Sequence, residues 1–420
     1  MKRSLFTAVL VLLALMASAQ DAKNPQLETL LRENIFRTGV NTCPYEYLPA
    51  AETPVPAGYK PFYISHYGRH GSRSDWEGTT YSDALKVYER AHELGMLTEE
   101  GEAAYRTVGE IIALHNHMNG RLTERGCREH RQIAGRMFQK YRKVFRQTPR
   151  VRAVSSTVPR CIVSMAAFTG ELISRDPKMY VSWDTGEAFM KYCSSVDPRD
   201  VREEAYKLIT EHADAHYPDT VQFYARIFKD PSRCREAGDP HALLDGTFAI
   251  AAICGAFDYD DTMLRLFTDD DRYWYAQNVS MNLYLRQCNS KEFGDRRMAV
   301  PECEAIMQDI VDKADEVIAG GGWAADLRFG HDYQLLAACS RLGIKGIAER
   351  MDAKECLDWP GYLYSPFAGN LQIVFYRGKA GDVLVKFYIN ERETSLITLP
   401  GGPYYKWEDV KEAFKKIPTA

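Results

Sequence analysis

Apolar side chains along the chain switch between short continuous runs and a three-four spacing, which predicts strands alternating with helices. Pro61-Phe62-Tyr63-Ile64-Ser65-His66 is a strand-like apolar and aromatic run that ends abruptly at Gly68-Arg69-His70-Gly71. Ser82 to Leu94 reads as a helix, with Ser82 as N-cap and Gly95 just past its end. Thr98 to His117 reads as a second, stopped near Gly120. Thr123 caps a longer helix in which Ile133, Met137, Tyr141 and Val144 form one apolar face. Val151 to Val154 reads as a strand, and residues 162–172 read as a helix. Ala325 to Phe329 is a further strand leading into Gly330-His331-Asp332. Tyr333 to Leu342 follows as a helix, with Gly343 as its stop, and two strands follow at Leu371–Tyr376 and Val383–Ile389.

Between about 175 and 318 the texture is mostly helical, with Asp- and Pro-rich breaks such as Asp197-Pro198, Asp230-Pro231 and Asp239-Pro240. The pattern predicts an α/β fold: a mixed central sheet flanked by helices, with an inserted, mostly helical cap. The core takes residues 20–174 and 319–420, and the cap takes 175–318. Residues 20–58, Pro-rich toward their end, read as a lead-in segment with one short helix.

The first nineteen residues are read apart from the fold. Lys2 and Arg3 precede an apolar stretch from Leu5 to Met16, and Ala17-Ser18-Ala19 is a small-residue cleavage site. This pattern is a secretory signal peptide, too short to span a membrane, and it predicts a soluble protein that is secreted or periplasmic. No later segment is read as a bilayer span. Composition (45% hydrophobic, 26% charged) suits an ordinary globular protein. The 53 basic and 57 acidic residues nearly balance, so no bulk field points to nucleic acid or anionic lipid, and any anion site must be local. The ten cysteines could pair in an oxidising compartment, but no C-x-x-C spacing suggests a redox motif or a zinc knuckle.

The strongest chemical signal is Arg69-His70-Gly71-Ser72-Arg73, just past the carboxyl end of a predicted strand, where open α/β sheets bind ligands. Two guanidiniums flank one imidazole. Arginine presents a planar donor fork matched to phosphate oxygens. Flanking cations disfavour a protonated imidazole, leaving a ring nitrogen for attack on phosphorus. Gly71 reads as the point where a ligand approaches the backbone. His331-Asp332, after another strand, offers a phosphoryl-binding imidazolium and an acid for the leaving oxygen. Arg160 completes the clamp. With that much positive charge no metal or cofactor is required, and none is predicted. His66, Tyr67, Ser72 and Asp75 are further candidates for the pocket wall.

These residues resemble the histidine phosphatase superfamily, specifically branch 2, the histidine acid phosphatases, which include phytases, glucose-1-phosphatases and multiple inositol-polyphosphate phosphatases. Residues 62–73 look like the family's strand and R-H-G-x-R. Leu122-Thr123-Glu124-Arg125-Gly126 resembles its L-T-x-x-G, and Ser155-Ser156 through Arg160 to Ser164 its third-arginine segment. Phe329-Gly330-His331-Asp332 resembles its H-D motif. Ser365-Pro366-Phe367-Ala368-Gly369-Asn370 and Tyr388-Ile389-Asn390 resemble its closing segments. The resemblance implies His70 as nucleophile, Asp332 as proton donor, and Arg69, Arg73, Arg160 and His331 as phosphate-binding groups. It implies a phosphate monoester as substrate, with inositol hexakisphosphate among the candidates. Two departures stand out. Ser74-Asp75 follow Arg73 where many members carry a short residue and proline, which brings negative charge toward the pocket. The inositol-polyphosphate subgroup typically has H-A-E where this chain has His331-Asp332, which favours a phytase-like or general acid-phosphatase donor.

Rival readings keep the same pocket: a sugar-phosphate phosphatase with little phytase activity, a non-catalytic phosphate-ester binding protein, or a phosphomutase. Remaining features read as structural. His115 and His117 do not share a helix face. His212 and His216 lack the third ligand of a metal site. The eleven Lys and Arg of residues 121–152 surround an amphipathic helix and read as a solvated face rather than a nucleic-acid surface. Asn278-Val279-Ser280 is a glycosylation sequon, and Tyr273-Trp274-Tyr275 reads as packing.

Overall fold

The computed structural model describes residues 23–75, 79–115 and 118–415. The signal-peptide reading, and His117 of the His115/His117 pair, lie outside the described residues.

The described strands are β1 (Lys60–Arg69), β2 (Arg150–Ser155), β3 (Tyr180–Thr185), β4 (Ala325–Gly330), β5 (Asn370–Arg377), β6 (Val383–Ile389), β7 (Arg392–Thr394) and β8 (Tyr405–Lys406). They form one sheet in the order β3-β2-β4-β1-β5-β6-β7, with β8 on β6. The first four run parallel, and β5 to β8 are antiparallel to their neighbours. The sheet is therefore mixed, as the alternation of elements predicts. Successive side chains of a strand point to opposite faces. Ile64, Val374 and Tyr376 meet Ile133, Met137 and Phe168 of helices Glu124–Lys140 and Pro159–Arg175 on one face. Tyr63, Tyr67, Ile373 and Phe375 meet helices Pro301–Ile318, Asp332–Leu342 and Trp407–Lys415 on the other.

The cap differs from its predicted bounds. Residues 180–185, assigned to the insertion, are β3 and pair with β2 in the main sheet. Of that strand only Val181 is buried, so an exposed edge strand produced no apolar run to detect. Conversely, helices Thr79–Glu93 and Glu99–His115, assigned to the core, pack with helices Thr220–Ile227 and Pro240–Ile253. Val87, Tyr88, Val108, Ile111, Phe223, Leu243 and Phe248 share that separate apolar cluster. The cap is built from two stretches of chain.

One further expectation is corrected. The run Pro240–Phe257 is long and apolar enough to cross a bilayer by length and composition, with a mean hydropathy of 1.3 over 18 residues. The run packs inside the cap, where 72% of it is buried. All ten cysteines are free thiols. The predicted helix through Val144 breaks at Tyr141, and Arg142–Gln147 continues as a separate short helix.

Candidate active site

The carboxyl ends of β2, β4 and β1 lie side by side, and the chemistry predicted from sequence sits just beyond them. Backbone bonds tie the ends together: the His70 amide donates to the Gly330 carbonyl at 2.9 Å, and the Ser156 amide to the Phe329 carbonyl at 2.9 Å. Helices Pro159–Arg175 and Asp332–Leu342 begin here, with N-caps Val158 and His331 that supply no side-chain hydrogen bond. Their first backbone N–H groups and positive dipole ends favour an anion at this spot.

His70 is 2% exposed. Its Nδ1 faces the Gly71 carbonyl at 3.0 Å; a carbonyl only accepts, so Nδ1 carries the proton and Nε2 keeps its lone pair. Burial, then Arg69, Arg160, His331 and Arg73, hold its pKa well below the ordinary value. Arg69 is also buried. It lies with its guanidinium 4.9 Å from the Phe367 ring centre, and its Nη1 donates to the Ser365 carbonyl at 2.9 Å. Burial lowers Arg69 to about 10, which leaves it charged. Nε of Arg69 and of Arg73 has no hydrogen-bond partner among the described residues. A buried, unpartnered cationic donor is costly until an anion meets it.

His331 is 1% exposed and stacks on Tyr333, ring centres 4.8 Å apart. Its Nδ1 accepts from Arg160 Nη2 at 3.3 Å, and its Nε2 donates to Ser156 Oγ at 3.1 Å. Arginine only donates, so His331 is the neutral ring rather than the imidazolium expected from sequence. Burial and then Arg160 push its pKa down. Asp332 accepts from Arg69 Nη2 at 3.1 Å and from Asn41 Nδ2 at 2.9 Å. Burial pushes its carboxyl up, but Arg69 and Asn41 outweigh it and hold the pKa below the ordinary carboxylate range. The expectation that Asp332 stands ready as an acid is corrected accordingly: these neighbours hold the carboxylate. A phosphate dianion among the same groups raises the pKa values of both Asp332 and His331.

All six predicted site residues thus converge. Of the four extra pocket candidates, three stand behind the site rather than in the pocket wall. His66 points away, between Phe168 and Phe329, with ring centres 5.1 and 5.5 Å distant. Tyr67 Oη accepts from the His331 amide at 2.9 Å and donates to the Cys193 carbonyl at 3.0 Å, bracing the turn into His331. Ser72 turns inward. Asp75 lies 3.5 Å from Arg73 and accepts from Tyr81 Oη at 2.5 Å, at the side of the pocket.

The turn after β1 is gripped by residues that sequence reasoning missed. Glu129, 4% exposed, accepts from the Ser72 amide at 2.8 Å, the Ser72 hydroxyl at 2.7 Å and the Tyr45 amide at 3.0 Å. It was detectable as a carboxylate inside the apolar stripe of its helix, four residues before Ile133. Gly71 proves to be required by a helix rather than by a ligand. A Cβ there would stand 2.6 Å from the Gly126 carbonyl oxygen, and one on Gly126 would stand 2.3 Å from the Ser72 carbonyl oxygen. This backbone contact accounts for the L-T-x-x-G resemblance: Thr123 Oγ1 donates to the Ser72 carbonyl at 3.1 Å, and Gly126 lets the turn lie flat on the helix. Gly126→Ala is expected to cost about 1–3 kcal/mol by overpacking and to weaken phosphate binding at the turn with it. Urea unfolding beside phosphate calorimetry measures both, and unchanged binding would contradict this role.

Beneath the turn, His66 is buried with no hydrogen-bond partner on either ring nitrogen among the described residues, and His130 is buried beside the Arg69 backbone. Burial lowers each to about 3. Each is neutral when folded and protonates near 6.5 when unfolded, so the unfolded state binds more protons below that pH. Stability present above pH 6.5 should fall on acidification by about 1.4 kcal/mol per pH unit per histidine. Urea unfolding between pH 6.5 and 5 tests this, and a flat profile would contradict it.

Other features singled out in the sequence have structural contacts among the described residues. His115 Nε2 accepts from the Asp75 amide at 2.8 Å, and His216 lies against Trp274. No group of three or more potential ligands suits a metal ion among the described residues. Asn278 is mid-helix and Ser280 is buried, unlike an exposed glycosylation loop. Arg128, Arg136 and Arg152 of the basic stretch pair with Asp258, Glu391 and Asp326.

No protein-family model matches the chain, and no curated protein matches it. Solved structures do. A Bifidobacterium longum multiple inositol polyphosphate phosphatase in complex with inositol hexasulfate matches with a TM-score of 0.73 at 17% identity, over 90% of this chain and 97% of that one. The D. castellii phytase matches with a TM-score of 0.65 at 16% identity, over 94% and 88%. The Citrobacter braakii phytase matches with a TM-score of 0.52 at 12% identity, over 86% and 98%. At these identities the likeness is one of architecture, and what it establishes is that this chain carries the histidine acid phosphatase fold.

Proposed function

We propose that the chain belongs to the histidine acid phosphatases and hydrolyses phosphate monoesters through a phosphohistidine on His70. The observation that carries this reading is the arrangement at the sheet's carboxyl edge: an imidazole locked with Nε2 unprotonated, ringed by Arg69, Arg73 and Arg160, with a carboxyl on Arg69. In the proposed reaction the Nε2 lone pair attacks phosphorus. The ester P–O bond breaks, and its electron pair leaves with the oxygen, which takes the Asp332 proton and departs as the alcohol. Water then attacks phosphorus and gives its proton to Asp332. The P–N bond breaks, returning neutral His70 and releasing inorganic phosphate. The three arginines stabilise the transferring group in both steps. The bound dianion makes the scheme workable by raising the Asp332 pKa, so that the acid forms with substrate present.

The substrate class follows from the same charge. A ring bearing several phosphates is supported by the likeness to a multiple inositol polyphosphate phosphatase whose structure is a complex with inositol hexasulfate. Asp75 supports the second reading, a sugar monophosphate, because it sets a carboxylate against Arg73. Export rests on the signal-like residues 1–19. The deciding assay is phosphate release from inositol hexakisphosphate, glucose 1-phosphate and p-nitrophenyl phosphate across acidic to neutral pH. Release supports the enzyme, and the preferred ester decides between the two substrates. Binding of phosphate without release from any of the three would replace the enzyme with a binding protein.

A further inference from the structure

The segment ahead of β1 reaches the site through one residue. Ile35–Thr42 winds as a 3-10 helix, opened by Asn34, whose side chain accepts from the Phe36 amide at 3.1 Å. The winding is broken at Val40, fully buried at φ 48° and ψ −95°. A β-branched residue at positive φ is strained, and such strain persists only where surrounding contacts impose it. Asn41, immediately after the break, meets the site with both its polar groups. Its carbonyl oxygen accepts from Arg69 Nη1 at 2.5 Å, and its Nδ2 donates to Asp332 Oδ2 at 2.9 Å. Oδ2 also receives Arg69 Nη2 at 3.1 Å, whereas Oδ1 receives the Tyr333 backbone amide at 3.0 Å.

We propose that Asn41 is a positioning residue for Asp332: with Arg69 it occupies Oδ2, directs the transferable proton to Oδ1, and sets the pH at which the carboxyl carries that proton. The inference rests on reading Asp332 as the proton donor. An oxygen already accepting two N–H groups, one of them cationic, is a poor site for a proton. Other groups also act on this carboxyl. They are Arg69 from β1, Arg73 from the following turn, Arg160 and Cys161 from helix Pro159–Arg175, and the neighbouring His331 and Tyr333. A substitution at position 41 leaves all of them in the chain, so a shift it causes reports the amide.

Losing one hydrogen bond to a carboxylate changes its protonation constant by about tenfold, or one pH unit. In Asn41→Ala the upper limb of the Asp332 titration should move up by that amount. It is followed by the carboxyl carbon signal of aspartate-labelled protein, assigned with Asp332→Asn. The alkaline limb of kcat for an alkyl phosphate, read at saturating substrate, should move with it, and the alkyl ester should lose more rate than p-nitrophenyl phosphate. Asn41→Ser, which keeps a shorter donor, should fall between and covers the case in which the alanine variant does not fold. Unmoved titration in the folded variants overturns the proposal. So does an equal loss on both esters with an unchanged pH profile, which is what a purely structural role would give. If the unaltered protein releases no phosphate, the reading as a phosphatase fails. The carboxyl titration still decides on its own whether Asn41 controls Asp332.

Discussion

His70→Ala is expected to lower p-nitrophenyl phosphate turnover by at least about a thousandfold while leaving the protein folded. Removing the nucleophile of a double-displacement enzyme removes the pathway, and the residual rate comes only from binding and electrostatics. Folding should survive because the imidazole contributes little that the fold needs. Its single side-chain hydrogen bond goes to the neighbouring Gly71 carbonyl, and the turn is held by other contacts: Glu129 on Ser72, and the His70 amide on Gly330. A neutral ring among three guanidiniums adds no attraction to be lost, so the unfolding free energy should change by less than about 2 kcal/mol. Inorganic phosphate should still bind, because Arg69, Arg73 and Arg160 are untouched. Turnover, urea unfolding and phosphate calorimetry together decide the point. Turnover within tenfold of the unaltered protein would exclude His70 as nucleophile. Loss of activity together with loss of fold would leave His70 with a structural role.

Asp332→Asn should discriminate between leaving groups. An alkyl phosphate needs its oxygen protonated as the bond breaks, so it should slow by roughly a hundredfold or more. p-Nitrophenolate leaves well as an anion and should slow by no more than about tenfold. The substitution is nearly isosteric but removes the counter-charge 3.1 Å from Arg69 Nη2. An equal fall on both esters would therefore show that Asp332 serves to hold Arg69 rather than to deliver a proton. The geometry adds a condition on this experiment. Because Arg69 and Asn41 hold the carboxylate ionised, the donor forms through the charge of the bound ester, and the pH dependence is best read at saturating substrate.

Much of the site was legible before any fold was seen. Arg69 ends β1 and His70 and Arg73 follow it, His331 and Asp332 follow β4, and both strands are buried through nearly their whole length; Arg160 lies a few residues past β2, where buried and partly exposed positions alternate. A strand buried on both faces is mostly apolar, and a glycine with charged residues after it marks its end. Glu129 and Asn41 were not found. Glu129 sits on the site because a helix packs against a turn distant in sequence. Asn41 reaches Asp332 across 291 positions of chain. Neither link has any local periodicity. The cap boundary failed for a related reason: the periodicity of Thr79–Glu93 shows a helix with one apolar face but not which cluster receives that face.

The sequence alone determined the alternation of elements, the mixed sheet and the candidate site side chains, because these depend on spacing and side-chain chemistry within a few residues. Tertiary structure decided the charge states. The same sequence motif predicts an imidazolium at His331 and an acid at Asp332. Burial, Arg160 and Arg69 instead give a neutral ring and a carboxylate. A proton's affinity for a group depends on every charge and dipole within several ångströms, and that company is chosen by the fold.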